Sequence, residues 1–142
     1  MINIHATLIS FCNKGILFIG KSGCGKSDTA LRMIMEKGAK LVADDRVVLE
    51  AVNNKVLGHA PENLKGLLEI RNIGIGQFDI KPAEEISLCV ELCLEREALE
   101  RLPQEEYVDF LGVSVRKIKL YPFDCSILCK IVALLEGKIC KI

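Results

Sequence analysis

Short apolar runs separated by turn residues dominate the first two thirds of the chain, and helical spacing is confined to a few segments. Residues 2–10 and 15–19 read as two strands joined by the turn Cys12-Asn13-Lys14, a hairpin leading directly into a glycine-rich loop. Residues 26–36 then read as a helix, with Ala30, Leu31, Met33 and Ile34 as its apolar positions and Gly38 as its stop. Strands follow at residues 40–43, 46–52 and 55–59, the last two separated by a turn at Asn53-Asn54. Residues 61–66 read as a loop, and residues 67–75 are apolar except for Glu69, Arg71 and Asn72. A strand is expected at 86–94, a short helix at 95–102 before Pro103, and a late strand at 112–120. Residues 124–138 close the chain as a helix, with Asp124 as N-cap and Ile127, Leu128, Ile131, Val132, Leu134 and Leu135 facing the core. The class is α/β, one domain over residues 1–142, with a buried sheet flanked by helices.

Composition narrows the picture. Half of the 142 residues are hydrophobic, only 5% are aromatic and Trp is absent, so the core has to be aliphatic. Nineteen basic and nineteen acidic side chains cancel, which leaves no electrostatic footprint for nucleic acid or an anionic membrane. No apolar segment approaches the length of a membrane span, and the first ten residues lack the pattern of a signal peptide, so a cytoplasmic protein is expected. Seven cysteines is an odd number, and a disulfide framework is a poor reading. Cys89/Cys93 and Cys125/Cys129 are each four apart, but no nearby His completes a zinc set, so the cysteines are expected as reduced, buried hydrophobes.

The glycine-rich loop carries the first chemistry. Gly20, Lys21, Ser22, Gly23, Cys24, Gly25, Lys26 and Ser27 match G-x-x-x-x-G-K-[ST] in full, after a strand and before a helix. Glycines let the backbone wrap closely enough for successive N–H groups to face phosphate oxygens, and the helix beginning near Lys26 adds its positive end. Lys26 reaches the β- and γ-phosphates of a nucleotide, and the Ser27 hydroxyl takes one position on Mg²⁺. The thiol of Cys24 is expected beside the phosphates, open to oxidation.

A phosphate-loop enzyme also needs a carboxylate near the metal, and Asp44-Asp45 supplies two, 18 residues after Lys26 at the end of an apolar strand. Adjacent side chains on a strand point to opposite sides, so the pair is expected to divide its work. One can hold Mg²⁺ or its water while the other takes the proton of an attacking hydroxyl. Glu69 stands in an apolar stretch, where it needs either Arg71 or Mg²⁺ as a partner. His5, fifteen positions before Gly20, either lies near the phosphates or fills space; His59, in a turn, is expected at the surface.

Taken together, residues 20–27, LVADDRV at 41–47 and LEIRNIGIG at 68–76 resemble, in order and spacing, the catalytic domain of HPr kinase/phosphorylase. The likeness runs from about His5 to Gly76, slightly over half the chain. It implies a P-loop NTP-binding domain of the HPr kinase/phosphoenolpyruvate carboxykinase type, with a mixed sheet flanked by helices. The implied activity is ATP- and Mg²⁺-dependent phosphorylation of a serine of HPr, the phosphocarrier of the sugar phosphotransferase system, with removal of that phosphate by phosphorolysis as the reverse. Under the resemblance Lys26 binds the transferring phosphate, and Ser27 and Glu69 hold Mg²⁺. Asp44, seconded by Asp45, is the base forward and the acid in reverse, and His5 stands at the spacing of the active-site histidine. A homo-oligomer, hexameric in the full-length enzymes, is implied as well.

Three departures qualify the likeness. The family's full-length members carry an additional N-terminal domain, so this chain resembles the short, catalytic-domain-only members. Asn72 stands where the family has a glycine, and a differently shaped loop is expected after Arg71. The arginine-bearing loop near the family's C-terminus corresponds to Leu120-Tyr121-Pro122-Phe123-Asp124, which has no arginine and favours kinase activity over phosphorolysis. Two rival functions stay open: a regulatory ATP-binding module with weak or no transfer, and a small-molecule kinase or NTPase.

Overall fold

Three hairpins close through two-residue turns in which both residues have positive φ: Cys12-Asn13, Asn53-Asn54 and Leu111-Gly112. That geometry matches the right-handed twist of the flanking strands, and asparagine and glycine adopt it at least cost. The structure, a computed structural model, describes residues 1–140. Its strands are β1 (Ile2–His5), β2 (Thr7–Phe11), β3 (Lys14–Ile19), β4 (Lys40–Ala43), β5 (Arg46–Val52), β6 (Lys55–His59), β7 (Leu67–Ile70), β8 (Gly74–Gln77), β9 (Glu84–Leu92), β10 (Glu106–Phe110) and β11 (Val113–Leu120). Helix α1 (Lys26–Lys37) follows β3, and helix α2 (Ile127–Leu135) follows β11.

Nine strands form one mixed sheet in the order β1-β5-β6-β9-β3-β2-β4, with β11 on β9 and β10 on β11; β7 and β8 make a separate two-stranded ribbon. The β3–β9 and β9–β11 pairs are parallel and the rest antiparallel. Alternate side chains of the central strands go to opposite faces, and both faces are covered. Ile9, Ile16, Phe18, Leu88 and Val90 pack with Met33 of α1 and Ile127 and Ile131 of α2. Their neighbours Leu8, Leu17 and Cys89 join Val47, Leu49 and Val56 on the other face. This is why these strands read as unbroken apolar runs, and the core is aliphatic as composition requires. Gly15 sits where β3 shifts register against β9, and a Cβ there would run into the Glu85 carbonyl, so only glycine lets the strands approach.

Several sequence expectations need correction. Residues 2–10 are not one strand: the chain breaks at Ala6, whose N–H donates to the Asp45 carbonyl (3.3 Å), so β1 pairs with β5 while β2 pairs with β3 and β4. The sheet edge thereby bends around the end of β4. Residues 95–102 form no helix, only a 3-10 turn at Arg96–Ala98, because Leu94 and Leu102 stay exposed and so short a helix needs a buried face. The last helix is shorter than expected, and Asp124 does not cap it; its carboxylate takes Arg96 (2.8 Å) and Lys130 (3.2 Å) instead. Strand β10 was not expected, although Val108 and Phe110 alternate inward against exposed Tyr107 and Asp109.

The cysteines also depart from the reading. All seven are free thiols, but only Cys24 and Cys89 are buried; Cys12, Cys125, Cys129 and Cys140 are exposed and Cys93 is half-buried. Cys12 occupies a turn, Cys125 lies in the turn before α2, and Cys129 lies on the side of α2 away from Ile127, Leu128 and Ile131. His59 ends β6 opposite Val48 and is half-buried, rather than sitting at the surface in a turn. Among the described residues no helix is long and apolar enough to cross a membrane.

Candidate active site

The loop between β3 and α1 depends on its glycines. Gly23 (φ 80°) and Gly25 (φ 98°) take left-handed backbone, with Gly25 at the N-cap of α1 and no side chain capping the helix. The first turn of any helix leaves N–H groups without intrahelical partners, so α1 presents free donors and a positive end at this loop. The Cys24 thiol is buried under the loop, 3.9 Å from the Lys26 ammonium and against Gly20, where a Cβ would lie 2.6 Å from the sulfur. Cys24 therefore plugs the loop onto the sheet, and the expectation of a thiol open to oxidation is corrected. Lys26 is only 7% exposed, and its ammonium donates to the carbonyls of Gly20 (2.8 Å) and Lys21 (3.1 Å).

Four elements converge on Asp44, which follows β4 and is 6% exposed. Ser27 of α1 donates its hydroxyl to Oδ1 (2.7 Å), Thr7 of β2 donates to the same oxygen (2.8 Å), and the Glu69 N–H of β7 donates to Oδ2 (3.3 Å). Asp45 does part company with its neighbour: with φ 68° it turns outward, and its carboxylate lies 3.8 Å from His5 Nε2. The strand has ended at Ala43, and an Asp tolerates the left-handed backbone that makes the turn. His5 thus stands at the site and not in the core.

The β7–β8 ribbon forms the remaining rim. Glu69 pairs with Arg71 at 3.7 Å, both exposed, so the ion pair contributes little to stability. Asn72 takes φ 70°, the left-handed conformation that a glycine adopts at least cost and that asparagine tolerates. Ser22, Gly23, Gly25, Lys26 and Ser27 of the loop and helix line a cavity of about 450 Å³ with His5, Asp44, Asp45 and Glu69, whereas Gly20, Lys21 and Cys24 line a different one. Thr7 and Phe123 also line the first cavity and were missed in the sequence. Thr7 carries no local signal, because the chain breaks at Ala6 and the partner of its hydroxyl, Asp44, is 37 positions away.

Among the described residues no cluster of three His, Cys, Asp or Glu side chains could hold a metal by itself. The Ser27 hydroxyl and the Glu69 carboxylate are nevertheless two hard oxygen donors lining the same cavity. Mg²⁺ characteristically takes one or two protein oxygens and completes its shell with phosphate and water, so the donor set fits that ion.

The family model of the HPr Serine kinase C-terminal domain matches residues 1–133, well past the residues that carry the motifs. The HPr kinase/phosphorylase of Caldicellulosiruptor bescii is 39% identical over 122 residues, covering 78% of this chain and 39% of that protein. That of Peptoclostridium acidaminophilum is 41% identical over 128 residues, covering 81% and 41%. The chain thus spans about two fifths of the length of these relatives. The structure of the Hpr(Ser) kinase/phosphatase from Coxiella burnetii matches with a TM-score of 0.84 at 25% identity, over 97% of this chain and 96% of that one. Sequence and fold agree, and the chain belongs to the HPr serine kinase C-terminal domain family.

Proposed function

We propose that this chain is a kinase that moves the γ-phosphoryl group of ATP to a serine of HPr or an HPr-like carrier in the cytoplasm. The observation that carries the reading is the 2.7 Å hydrogen bond from Ser27 to Asp44, which ties the phosphate loop to a buried carboxylate. A hydroxyl that offers an oxygen to Mg²⁺ and a carboxylate that can take a proton are thereby held within one cleft. Ser27 and Glu69 would hold Mg²⁺ bound with the nucleotide, and the ion would supply positive charge against the phosphate oxygens, leaving the Asp44 carboxylate free to act as base.

The chain's own residues do the rest. The loop amides hold the triphosphate, and Lys26 transfers its ammonium from the Gly20 and Lys21 carbonyls to the phosphate oxygens, where charge develops. The serine oxygen attacks phosphorus as the bond to the β–γ bridging oxygen breaks, and ADP leaves with that electron pair. Asp44 takes the serine proton, while Thr7 and the Glu69 N–H keep its carboxylate in place. His5 and Asp45 face the acceptor side. Phosphorolysis would be the same path run backwards with inorganic phosphate, and the lack of arginine in residues 120–124 favours the kinase direction.

A second assignment of the base has its own support: Asp44 already accepts three hydrogen bonds, whereas the Asp45 side chain is 65% exposed. Asp44→Asn and Asp45→Asn separate the two. Both variants should bind MgATP as the parent does, and transfer to HPr should fall on the order of 10²–10⁴-fold in the first and at most about tenfold in the second. The reverse ranking would make Asp45 the base. Undiminished transfer by both variants would remove this aspartate pair from the mechanism.

A further inference from the structure

The segment between β11 and α2 reads Tyr121-Pro122-Phe123-Asp124, and its place in the fold suggests what it does. Phe123 is 57% exposed, whereas Phe18 is buried and Phe11, Phe78 and Phe110 are half-buried. An exposed phenyl ring is not by itself informative, but this one is rigidly held. The Tyr121 ring meets it edge-on at 5.6 Å, and Arg96 lies 5.5 Å over Tyr121 while pairing with Asp124 at 2.8 Å. From the other side Arg32 donates to the Pro122 carbonyl (3.4 Å).

The ring also has a defined relation to the phosphate loop. A Cβ placed on Gly25 would lie 3.4 Å from Pro122 and 3.7 Å from the Phe123 ring, so the segment rests on the loop where α1 begins. Two residues on, the Ser27 side chain is committed to Asp44. A triphosphate whose γ end lies at Ser27 and Asp44 therefore needs an exit for its nucleoside elsewhere along the same cavity. Asp28, Leu31 and Phe123 line it there. Leu31 and Phe123 offer an apolar wall and an aromatic face, the chemistry that suits a flat heteroaromatic ring.

We propose that Phe123 is the platform on which the base of the nucleotide stacks, making it a determinant of nucleotide affinity. This role rests on the nucleotide reading above and deepens it. Stacking recognises any base by its π face, so affinity here comes from ring overlap and not from a base-specific code.

Titration calorimetry with MgATP and with magnesium tripolyphosphate, on the parent chain, Phe123→Ala and Phe123→Trp, tests it. The alanine variant should lose roughly 10- to 100-fold in ATP affinity and keep its tripolyphosphate affinity, and the tryptophan variant should bind ATP at least as well as the parent. ATP binding unchanged in Phe123→Ala would overturn the platform and leave the nucleotide site standing. Equal loss of both ligands would overturn it too, because the ring would then only prop the loop. A parent chain that binds neither ligand would overturn both this proposal and the nucleotide reading.

Discussion

Lys26→Ala should reduce phosphoryl transfer to HPr by on the order of 10³-fold or more and leave the folded state standing. Lys26 carries the ammonium inside the loop, and it is held there only by the carbonyls of Gly20 and Lys21 and, at 3.9 Å, by the Cys24 thiol. Gly20 is half-buried and Lys21 exposed, so their carbonyls can turn to water when the ammonium is gone, and the thermal midpoint should move by a few degrees at most. Charge developing on the transferring phosphoryl group has no such substitute, and loss of one preorganised donor typically costs 10²–10³-fold in rate, more when it is a full charge. A transfer assay beside a thermal melt checks both halves. A stable variant with parental turnover would take the loop out of the chemistry.

Glu84→Ala should have the largest effect on stability. This buried carboxylate at the start of β9 accepts from Ser10 of β2 (2.7 Å) and from the Glu85 N–H (3.0 Å), and it pairs with Lys81, which also reaches Asn13 in the first hairpin turn. Truncation strands a buried hydroxyl and a half-buried ammonium, a cost of about 2–4 kcal/mol. In a chain of this size that is a fall in thermal midpoint on the order of 10 °C, and an unchanged midpoint would show that the cluster is incidental.

The same group sets an acid limit. Burial alone would push the Glu84 carboxyl up, but Lys81, Ser10 and the Glu85 N–H outweigh it and hold the group below its ordinary value of 4.5. A depressed carboxyl stabilises the fold above the unfolded value and loses that contribution as pH falls through the folded one. The stability gap between the parent and Glu84→Gln should therefore narrow below about pH 4.5, measured by denaturant unfolding. Glu91, held low chiefly by its bond to Lys117, is common to both proteins and cancels. A gap that stays constant with pH would mean that the depressed carboxyl contributes nothing.

What could be read from the chain was what is local. The phosphate loop lies within eight consecutive residues, and Asp44-Asp45 ends the strand that follows its helix, so motif and spacing were enough to place both. Asn13, Asn53 and Asn54 marked their hairpins because asparagine tolerates the left-handed backbone those turns need. Thr7 was not legible as a site residue, because its partner is 37 positions away and nothing in the neighbouring sequence points there. The break at Ala6 is equally nonlocal, since it follows from β1 and β2 choosing different partners. Residues 95–102 show the opposite failure: local spacing suggested a helix, but no apolar face of the sheet was available to bury it. The cysteines misled because residue type predicts burial only on average; Cys125 falls in the turn before α2 and Cys129 on its outer side.

The central claim is that phosphate leaves ATP for a protein serine. Incubating the chain with ATP labelled at the γ-phosphate, Mg²⁺ and HPr should place label on HPr, and HPr with its acceptor serine changed to alanine should stay unlabelled. Release of free phosphate at a rate indifferent to HPr, or bound ATP with no label on HPr, would contradict the account.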